Sequence, residues 1–566
     1  MAEQSTGIKM NPIGRILQVL KLEKKEITAI YFYAILNGIV QLSLPLGIQS
    51  IISFVLGGSI STSLVILIIL VVLGVLFNGF LSVNQMRLNE KVQQKLFVRY
   101  SFEYANRIPK LDLQSVDSFY LPELVNRFFD TISLQKSISK LLLEIPTASI
   151  QILFGTILLS FYHPVFIVFS LVLISLVSVI LYFTSPRGLS TSIEESNYKY
   201  KVAGWLEELA RVVRSFKFSK GTLLNLKKTD ELVGGYLNAR TAHFKVLLFQ
   251  YWTLIGFKML ITAAMLIVGS ILLINQQLNL GQFIASEIVI LLVLNSVEKL
   301  IVNLDKVYDV LTSVEKLSKV IDQPVDAEGK MQLMDRIEGV SVQVQGLSFK
   351  YDKRPVLKNI SFNVEPGQKV ALIGEDGSGK STLLRVLSGA YKNYEGGILL
   401  DNVPLKNYHS DSVRKNTGIL LSQQDIFNGT ILENITMGNN EISPNAIMLL
   451  SEKVGLKNFL EEQHEGFETV LDPVGKRLSR NIIQKILLLR ALVNDPRLLL
   501  LEEPWSNLDE SHRRSIQEYL FENNKDCTVV VATTSDDEFV SKCDKVLYLK
   551  DGQLVDAGSW DETRKN

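Results

Sequence analysis

QKVALIG at 368–374 runs directly into the loop GEDGSGKST at 374–382, and the helix-like sequence LLRVLSGA follows at 383–390. An apolar strand, a loop of the pattern G-x-x-x-x-G-K-[ST] and a helix, in that order, are typical of a phosphate-binding loop. Glycines let the backbone approach phosphate oxygens, and the N–H groups at the start of the helix favour an anion. The stretch therefore predicts an α/β nucleotide-binding domain.

A second apolar run, LLLLEE at 498–503, ends in two carboxylates. In phosphoryl-transfer sites, one acid holds the Mg²⁺ ion and another positions the attacking water. We assign Glu502 to the metal and Glu503 to the water. In the loop, we expect Lys380 to reach the β and γ phosphates and the Ser381 hydroxyl to bind Mg²⁺. The pattern predicts ATP and Mg²⁺ as cofactors and ATP hydrolysis as the reaction.

The 566 residues are too many for one core, and the apolar residues among them are unevenly distributed. Stretches of about 20 residues, long enough to cross a bilayer, crowd the first half of the chain. The short connections around 57–58, 163–164 and 276–281 contain no Lys or Arg, whereas the long connections are rich in both charges. The positive-inside rule then places the N-terminus and the nucleotide-binding domain in the cytoplasm. The six predicted spans are 27–56, 62–86, 145–162, 164–185, 246–275 and 282–302.

The long connections, 87–144 and 186–245, carry mainly helix-forming residues. We expect them to extend the spans as helices by tens of ångströms. Their tips, near 116–128 and 211–221, are predicted to touch the cytoplasmic domain. A separate helix at 11–25, with apolar residues at helical spacing followed by lysines, is predicted to lie on the inner membrane face.

Two ionisable residues are singled out within the predicted spans, Lys258 in the fifth and Glu287 in the sixth. Their depths differ, so we do not pair them. Lys258 is interpreted as an interface residue, and Glu287 either lines a central pathway or is satisfied by a neighbouring helix. Cys527 and Cys543 have no ligand-type spacing and are interpreted as reduced thiols. The net charge of +1 gives no indication of a nucleic-acid partner.

Several motifs in order resemble the ATP-binding-cassette exporters in which a membrane domain is fused ahead of the cassette. They include SQQDIFNGTILENITMG at 422–438, LSRNIIQKILLLRAL at 478–492 and LLLLEEPWSNLD at 498–509. The resemblance covers nearly the whole chain. It implies a multidomain protein with an all-α membrane domain of six long helices, followed by an α/β phosphate-loop ATPase cassette with an antiparallel β subdomain and a helical subdomain. The implied divisions are a cytoplasmic N-terminus with the interfacial helix at 1–26, the membrane domain at 27–325, a linker at 326–339 and the cassette at 340–566.

The resemblance also implies a dimer in which each ATP lies between the phosphate loop of one subunit and the signature motif of the other. Tyr351 would stack on adenine, and Ser479 would donate to the γ-phosphate. Gln423 is assigned as the glutamine that senses Mg²⁺, with Gln424 as the open alternative. The residues implied to bind the nucleotide are Tyr351, Gly374, Gly377, Ser378, Gly379, Lys380, Ser381, Thr382, Gln423, Ser479 and Thr534. Those implied to bind the metal are Ser381, Gln423 and Glu502.

The chain departs from the exporter motifs at several positions. The signature, usually LSGGQ, reads LSRNI at 478–482, and Glu502 stands where the exporters have an aspartate. Thr534 stands at the place of a histidine, and Pro473 at the place of a glutamate. We therefore expect secure ATP binding and slow hydrolysis by Glu503. The alternative is a regulatory subunit of a heterodimer that holds ATP with little turnover.

The cargo is indicated only weakly. LSLPLGIQSIISFVLGG at 42–58 and GQFIASEIVILL at 281–292 resemble the type I secretion and bacteriocin-exporter branch. This branch implies a peptide or protein cargo, a periplasmic adaptor and a place in the bacterial inner membrane. Export of a lipid or a hydrophobic small molecule is the alternative. The partner subunit is either a second copy of this chain or a second half-transporter.

Overall fold

A computed structural model describes residues 14–17, 21, 23–58, 62–117, 120–219, 221–422, 424–534 and 536–558. The chain divides into two compact units, Met1–Pro109 with Phe119–Gln323, and Lys110–Ser118 with Pro324–Asn566. The short segment 110–118 thus belongs with the C-terminal unit, although the sequence places it between two predicted spans. Of the helix predicted at 11–25, residues 14–17 are helical, and most of the rest lies outside the described residues.

The first unit is built from long helices. Among the described residues, six helical stretches are long and apolar enough to cross a membrane; some are single helices, and the others join consecutive helices. Each predicted span falls within one of the six, to within one residue at its ends, so the prediction of an all-α, six-span domain is confirmed. In chain order the helices are α1 (Lys24–Gln41), α2 (Ser43–Leu56), α3 (Thr62–Arg107), α4 (Leu113–Val116, in the second unit), α5 (Leu121–Asn126), α6 (Asp130–Tyr162), α7 (Val165–Arg211), α8 (Val213–Phe218), α9 (Leu224–Ile274), α10 (Leu280–Val302) and α11 (Leu304–Ile321).

Three of these helices are much longer than a bilayer requires. α3, α7 and α9 contain 46, 47 and 51 residues. At about 1.5 Å per residue each is roughly 70 Å long, whereas a hydrocarbon core is about 30 Å thick. In each of them one part is apolar and the other is charged, as in TSLVILIILVVLGVLF and NEKVQQKLFVRY of α3. The spans therefore continue as helices into the charged connections, as predicted.

Hydrogen bonds between polar side chains connect the apolar helices to one another. The first span is interrupted at Leu42, between α1 and α2. Beside this break, the Gln151 amide donates to Gln41, and the Ser296 hydroxyl donates to Gln151 Oε1 at 2.7 Å. These contacts connect α1, α6 and α10. Such bonds stabilise helix association in a membrane because no water competes for the polar groups.

Lys258 and Glu287, the two ionisable residues singled out in the sequence, differ in their surroundings. Lys258 Nζ of α9 lies 2.5 Å from Glu298 Oε2 of α10, and each side chain is about one-third exposed. Lys258 therefore forms an ion pair with a residue of the neighbouring helix. The sequence analysis interpreted Lys258 as an interface residue and did not predict this ion pair. Glu287 Oε1 is buried and has no hydrogen-bond partner among the described residues.

The second unit contains two main sheets. Its strands are β1 (Val342–Tyr351), β2 (Arg354–Val364), β3 (Lys369–Ile373), β4 (Glu395–Leu400), β5 (Val403–Pro404), β6 (Thr417–Leu420), β7 (Gly429–Thr430), β8 (Val470–Leu471), β9 (Leu498–Glu502), β10 (Thr528–Ala532), β11 (Lys545–Lys550) and β12 (Gln553–Gly558). An antiparallel sheet has the order β2-β1-β4-β5, and a six-stranded sheet has the order β12-β11-β3-β10-β9-β6. The predicted cassette with an antiparallel β subdomain is confirmed.

Helices flank these sheets and form a separate group between β6 and β9. They are α12 (Lys380–Leu387), α13 (Ser410–Asn416), α14 (Ile431–Thr436), α15 (Pro444–Lys453), α16 (Lys457–Glu462), α17 (Arg480–Leu492), α18 (Glu510–Glu518) and α19 (Asp537–Lys542). α14 to α17 form the predicted helical subdomain. Their apolar faces share one buried cluster with β9 and β10.

The parallel strands bring the motifs to one sheet edge. β10 lies between β3 and β9 and runs parallel to both. Ala532 at the end of β10 is paired with Leu372 of β3 on one side and with Glu502 of β9 on the other. Because parallel strands end at the same edge, the loop after β3 and the acids after β9 are neighbours.

A buried lysine fixes the opposite end of this sheet. Lys369 is 5% exposed, and burial lowers the pKa of its ammonium group. Its Nζ lies 2.6–3.1 Å from four carbonyl oxygens, those of Gly367, Asn524, Lys525 and Cys527, which share its three N–H groups. One side chain therefore joins the start of β3 to the start of β10.

Replacing Lys369 by methionine keeps the length of the side chain and leaves these carbonyls without their donor. Unsatisfied buried carbonyls are costly, so we expect Lys369→Met to destabilise the second unit by at least about 2 kcal/mol. In thermal unfolding of the full chain this corresponds to a midpoint lowered by about 4–8 °C. The matched control is Lys545→Met, since Lys545 Nζ donates to a single carbonyl, that of Asn363. Equal midpoints for the two variants would contradict the prediction.

Candidate functional site

The phosphate-binding loop joins β3 to α12, and glycine is required at two of its positions. Gly374 has φ 149°, and a Cβ atom there would lie 2.1 Å from the Leu549 carbonyl oxygen. Gly379, the residue before α12, has φ 107°, and its Cβ would lie 2.8 Å from the Leu357 side chain. Any other residue would have to shift the loop. Gly377 also has a positive φ of 81° and faces open space.

Two side chains of the loop are arranged for an anion. Lys380 is 8% exposed, and its Nζ donates to the carbonyls of Gly374 and Glu375 at 2.6 and 3.0 Å. The ammonium group is thereby held over the loop. Ser378 Oγ is buried and lacks a hydrogen-bond partner within the described part of the chain. A loop with an oriented cation, the N–H groups of a helix start and an unpartnered hydroxyl fits a nucleotide phosphate.

The loop is connected to the acids of β9. The Ser381 hydroxyl donates to Glu502 Oε1, and the backbone N–H of Ser422 donates to Glu502 Oε2 at 2.8 Å. The residues predicted to bind Mg²⁺ from two separate motifs are thus in direct contact. The described residues contain no cluster of three or more His, Cys, Asp or Glu side chains suited to a metal. This pair fits a Mg²⁺ ion whose remaining ligands are phosphate and water oxygens.

Glu503 follows directly in a strained turn. Its φ is 42°, and its N–H donates to the Ala532 carbonyl at 2.9 Å. Glu503 Oε2 accepts a hydrogen bond from Thr533 Oγ1 at 3.3 Å, and Glu503 Oε1 is buried without a partner among the described residues. A non-glycine residue in this conformation is uncommon and is found at functional sites. One free, buried carboxylate oxygen suits a group that accepts a proton from water.

The threonine that contacts Glu503 is not the one predicted. Thr534 is exposed, whereas Thr533 is 1% exposed and directs its hydroxyl at the carboxylate. Thr533, the residue before the predicted Thr534, is therefore the threonine that lies beside the Glu503 carboxylate. A threonine hydroxyl donates a hydrogen bond but carries no proton-linked charge.

A further contact was missed by sequence reasoning. Gln484 Nε2 of α17 donates to the carbonyls of Glu503 and Pro504, both at 3.2 Å. The turn that holds Glu503 is therefore attached to the signature helix of the same chain. The available signal was the glutamine in LSRNIIQKI, a polar residue in an otherwise apolar helix.

The signature segment keeps its helix start. Ser479 is the N-cap of α17, and its hydroxyl accepts a hydrogen bond from the Ile482 N–H at 3.3 Å. Arg480 is exposed, and Ile482 is half-buried against the apolar cluster of the helical subdomain. The departures from LSGGQ are thus accommodated without loss of the cap.

Three further predicted residues occupy different surroundings. Gln423 lies outside the described residues. Gln424 Oε1 accepts a hydrogen bond from the Leu421 N–H at 3.4 Å, just after β6. Thr382 lies in the first turn of α12 and is buried, at 6% exposure.

Tyr351 ends β1 in an aromatic cluster. Its ring meets those of Phe349 and Tyr391 edge to face, at centroid distances of 5.0 and 5.7 Å. Its hydroxyl accepts a hydrogen bond from Arg385 Nη1 of α12 at 3.3 Å. Because α12 starts at the phosphate loop, this contact connects the proposed adenine end of the site to the phosphate end.

Comparisons with known families agree with this arrangement. The profile described as "ABC transporter transmembrane region" matches residues 27–297, and the profile described as "ABC transporter" matches residues 357–506. The second range contains the phosphate loop, the signature segment and both acids.

Curated relatives resemble only part of the chain. An ATP-dependent lipid A-core flippase of Hahella chejuensis is 34% identical over 239 residues, which is 42% of this chain and 40% of the flippase. An uncharacterised ABC transporter ATP-binding protein of Bacillus subtilis, YfiC, is 34% identical over 40% of this chain and 37% of that protein. The matches thus span about two-fifths of the length of these relatives.

A solved structure extends the likeness to the whole fold. A bacterial Atm1-family ABC exporter with ATP bound superposes with a TM-score of 0.84, over 96% of both chains and at 18% identity. At this identity the likeness concerns the fold.

Removing the unpartnered Ser378 hydroxyl tests whether the loop accepts a phosphate. Since this hydroxyl has no protein partner to lose, we expect Ser378→Ala to leave the thermal unfolding midpoint unchanged. Because the variant cannot donate this hydrogen bond to a phosphate, its ATP affinity should be about three- to tenfold weaker. Fluorescence titration with a labelled ATP analogue measures the affinity, and Lys380→Ala serves as the reference for a larger loss. An unchanged affinity in Ser378→Ala would show that its hydroxyl does not take part in binding.

Proposed function

Because the chain belongs to the ABC transporters, with a transmembrane region ahead of one ATP-binding cassette, we propose that it is a half-transporter that couples ATP hydrolysis to export. The cassette binds ATP and Mg²⁺ at the loop 374–382 and hydrolyses ATP slowly through Glu503. The membrane domain carries the cargo across a bacterial inner membrane. The fused order, six spans and long helical extensions support the exporter assignment.

One observation carries the proposal. The phosphate loop, Glu502 and Glu503 converge at a single sheet edge, with the Ser381 hydroxyl on Glu502 and a free oxygen of Glu503 beside them. Bound ATP would lie along the loop, Lys380 would neutralise phosphate charge, and Glu503 would accept the proton of the attacking water. Mg²⁺ would supply charge neutralisation and orient the phosphate oxygens.

The active unit is proposed to be a dimer. Ser479 and Arg480 are exposed at the start of α17, where a helix N-terminus favours an anion. We infer that they complete the nucleotide site of a partner subunit. Either a second copy of this chain or another half-transporter would serve. The periplasmic adaptor stays a prediction.

Substitution of Glu503 tests the proposed reaction. Glu503→Gln keeps the shape of the side chain and removes its capacity to accept a proton, so ATP turnover should fall at least about 100-fold while ATP affinity is retained. Purified protein in lipid, assayed for phosphate release, gives the measurement. Glu510→Gln, a change at an exposed glutamate of α18, is the control and should retain full turnover.

Equal ATP turnover in Glu503→Gln and in the unmodified chain would contradict the proposal that this chain hydrolyses ATP. It would favour the second candidate, a regulatory subunit that binds ATP without useful turnover. The altered signature LSRNI and the threonine in place of histidine support this candidate. The free oxygen and strained backbone of Glu503 oppose it.

For the cargo, we propose a lipid or another amphiphile. Relatives described as ATP-dependent lipid A-core flippases recur in several bacteria. The peptide or protein cargo inferred from the resemblance to the secretion branch stays a prediction. Both cargo classes would enter through the membrane domain, whose spans contain the ion pair Lys258–Glu298 and the polar contacts around Gln151.

Cargo stimulation of ATP turnover distinguishes the two classes. In proteoliposomes we expect purified lipid A core to raise turnover, because cargo binding favours the conformation in which the cassettes close. A 20-residue unstructured peptide should leave turnover at its basal rate. Glu503→Gln in the same vesicles measures the background. Stimulation by the peptide alone would overturn the lipid assignment and restore the peptide prediction.

A further inference from the structure

A large open cavity lies beside Tyr351. It has a volume of about 1130 Å³ and is lined by Tyr351, Arg385, Tyr391 and Tyr394 of the cassette and by Asp112 and Asp117 of the segment 110–118. Pockets that bury small molecules are typically about 300–1,000 Å³, so an adenine base and its ribose would fit here. The base-binding end of the proposed nucleotide site is therefore partly walled by a segment that lies far away in the sequence.

The segment is tied to the cassette unit at its beginning. Leu111 pairs with Val325 as an antiparallel bridge. The Asp112 N–H donates to the Pro324 carbonyl at 3.0 Å, and the Asp326 N–H donates to the Lys110 carbonyl at 2.9 Å. The start of the segment is thus held by the residues that lead into the cassette.

One side chain holds the segment at its other end. The Tyr391 hydroxyl donates to Asp117 Oδ2 at 3.0 Å. Tyr391 is 3% exposed, and its burial raises the pKa of the phenol, so the hydroxyl stays protonated and donates at neutral pH. The bond joins a buried aromatic residue to a carboxylate.

Tyr391 is also the residue against which Tyr351 is packed. The two rings are perpendicular, with centroids 5.7 Å apart, and Phe349 contacts both. Tyr391 follows α12 closely in sequence, and Arg385 of the same helix holds the Tyr351 hydroxyl. The orientation of the ring proposed to stack on adenine is therefore set by a chain of contacts that ends at Asp117.

We propose that Asp117 and Tyr391 are positioning residues for the adenine end of the nucleotide site, so that the segment 110–118 sets the affinity for the base and not for the phosphates. This inference rests on the proposed function only in that ATP binds with its base at Tyr351. By thermodynamic reciprocity, a bound base stabilises the segment as much as the segment stabilises the bound base.

The test compares two ligands of the full-length protein, ATP and inorganic tripolyphosphate, which lacks a base. We expect Asp117→Ala and Tyr391→Phe each to weaken ATP affinity about three- to tenfold, the effect of one hydrogen bond. Their affinity for tripolyphosphate should equal that of the unmodified chain. The double variant should be no weaker than either single variant, because both remove the same bond.

The matched control is Tyr408→Phe. Tyr408 is also buried, but its hydroxyl donates to the Leu400 carbonyl at 3.0 Å, and it is not among the residues that line the cavity. This variant should bind ATP as the unmodified chain does. Hydrogen exchange gives the reciprocal readout: ATP should slow exchange in 110–117 of the unmodified chain, and neither tripolyphosphate nor ATP added to Tyr391→Phe should do so.

Three results would overturn the inference. They are unchanged ATP affinity in both single variants, a parallel loss of tripolyphosphate affinity, or additive losses in the double variant. Each is a binding result and requires no turnover. Failure of hydrolysis or export would therefore show in the Glu503→Gln comparison and leave this test intact.

Discussion

The proposed nucleotide site depends on the parallel pairing of β3, β10 and β9. This pairing brings three chain segments, far apart in sequence, to one edge of the sheet. The bond from Ser381 to Glu502 then joins the loop after β3 to the end of β9. At the same edge, the Ala532 carbonyl accepts a hydrogen bond from the N–H of Glu503. This bond fixes the turn that carries the second carboxylate. The binding and reacting groups are therefore oriented by the backbone of the sheet, before any ligand arrives.

Sequence patterns within single short segments were sufficient to predict the spans and the phosphate loop. Six apolar stretches predicted six spans, and the strand–loop–helix pattern predicted the phosphate loop, because each signal lies within one short segment. Thr533 could not be placed this way. β10 reads TVVVA and is buried throughout, so it shows no alternation of apolar and polar residues that would mark where the strand ends. The pairing of Ala532 with Glu502 shows that Thr533 directly follows the last paired residue of β10, next to the acids of β9.

Contacts between segments were predicted less well. The partner of Lys258 is an example, since Glu298 lies in the predicted sixth span and was not singled out. α9 and α10 are joined by a short connection, and the two residues lie at similar distances from it, so their depths match. That signal was present in the sequence. The sequence predicts that a tip near 116–128 touches the cytoplasmic domain, whereas the segment that groups with the cassette is 110–118. The pairing of Tyr391 with Asp117 had no signal of its own in the sequence.

The departures from the exporter motifs affect binding and chemistry unequally. At the signature, Ser479 still caps α17, and Ile482 gains apolar contacts where a glutamine would have offered a hydrogen bond. At the proposed metal site, the Glu502 carboxylate already accepts a hydrogen bond from Ser381, so a metal ion would compete with the carboxylate for the hydroxyl. At Glu503, a neutral threonine replaces a group that could carry charge. The glycines of the phosphate loop and the cap of α17 are intact, whereas the changes at Glu502 and beside Glu503 lie where a metal ion or a proton would be handled. ATP is therefore expected to be held well and hydrolysed slowly.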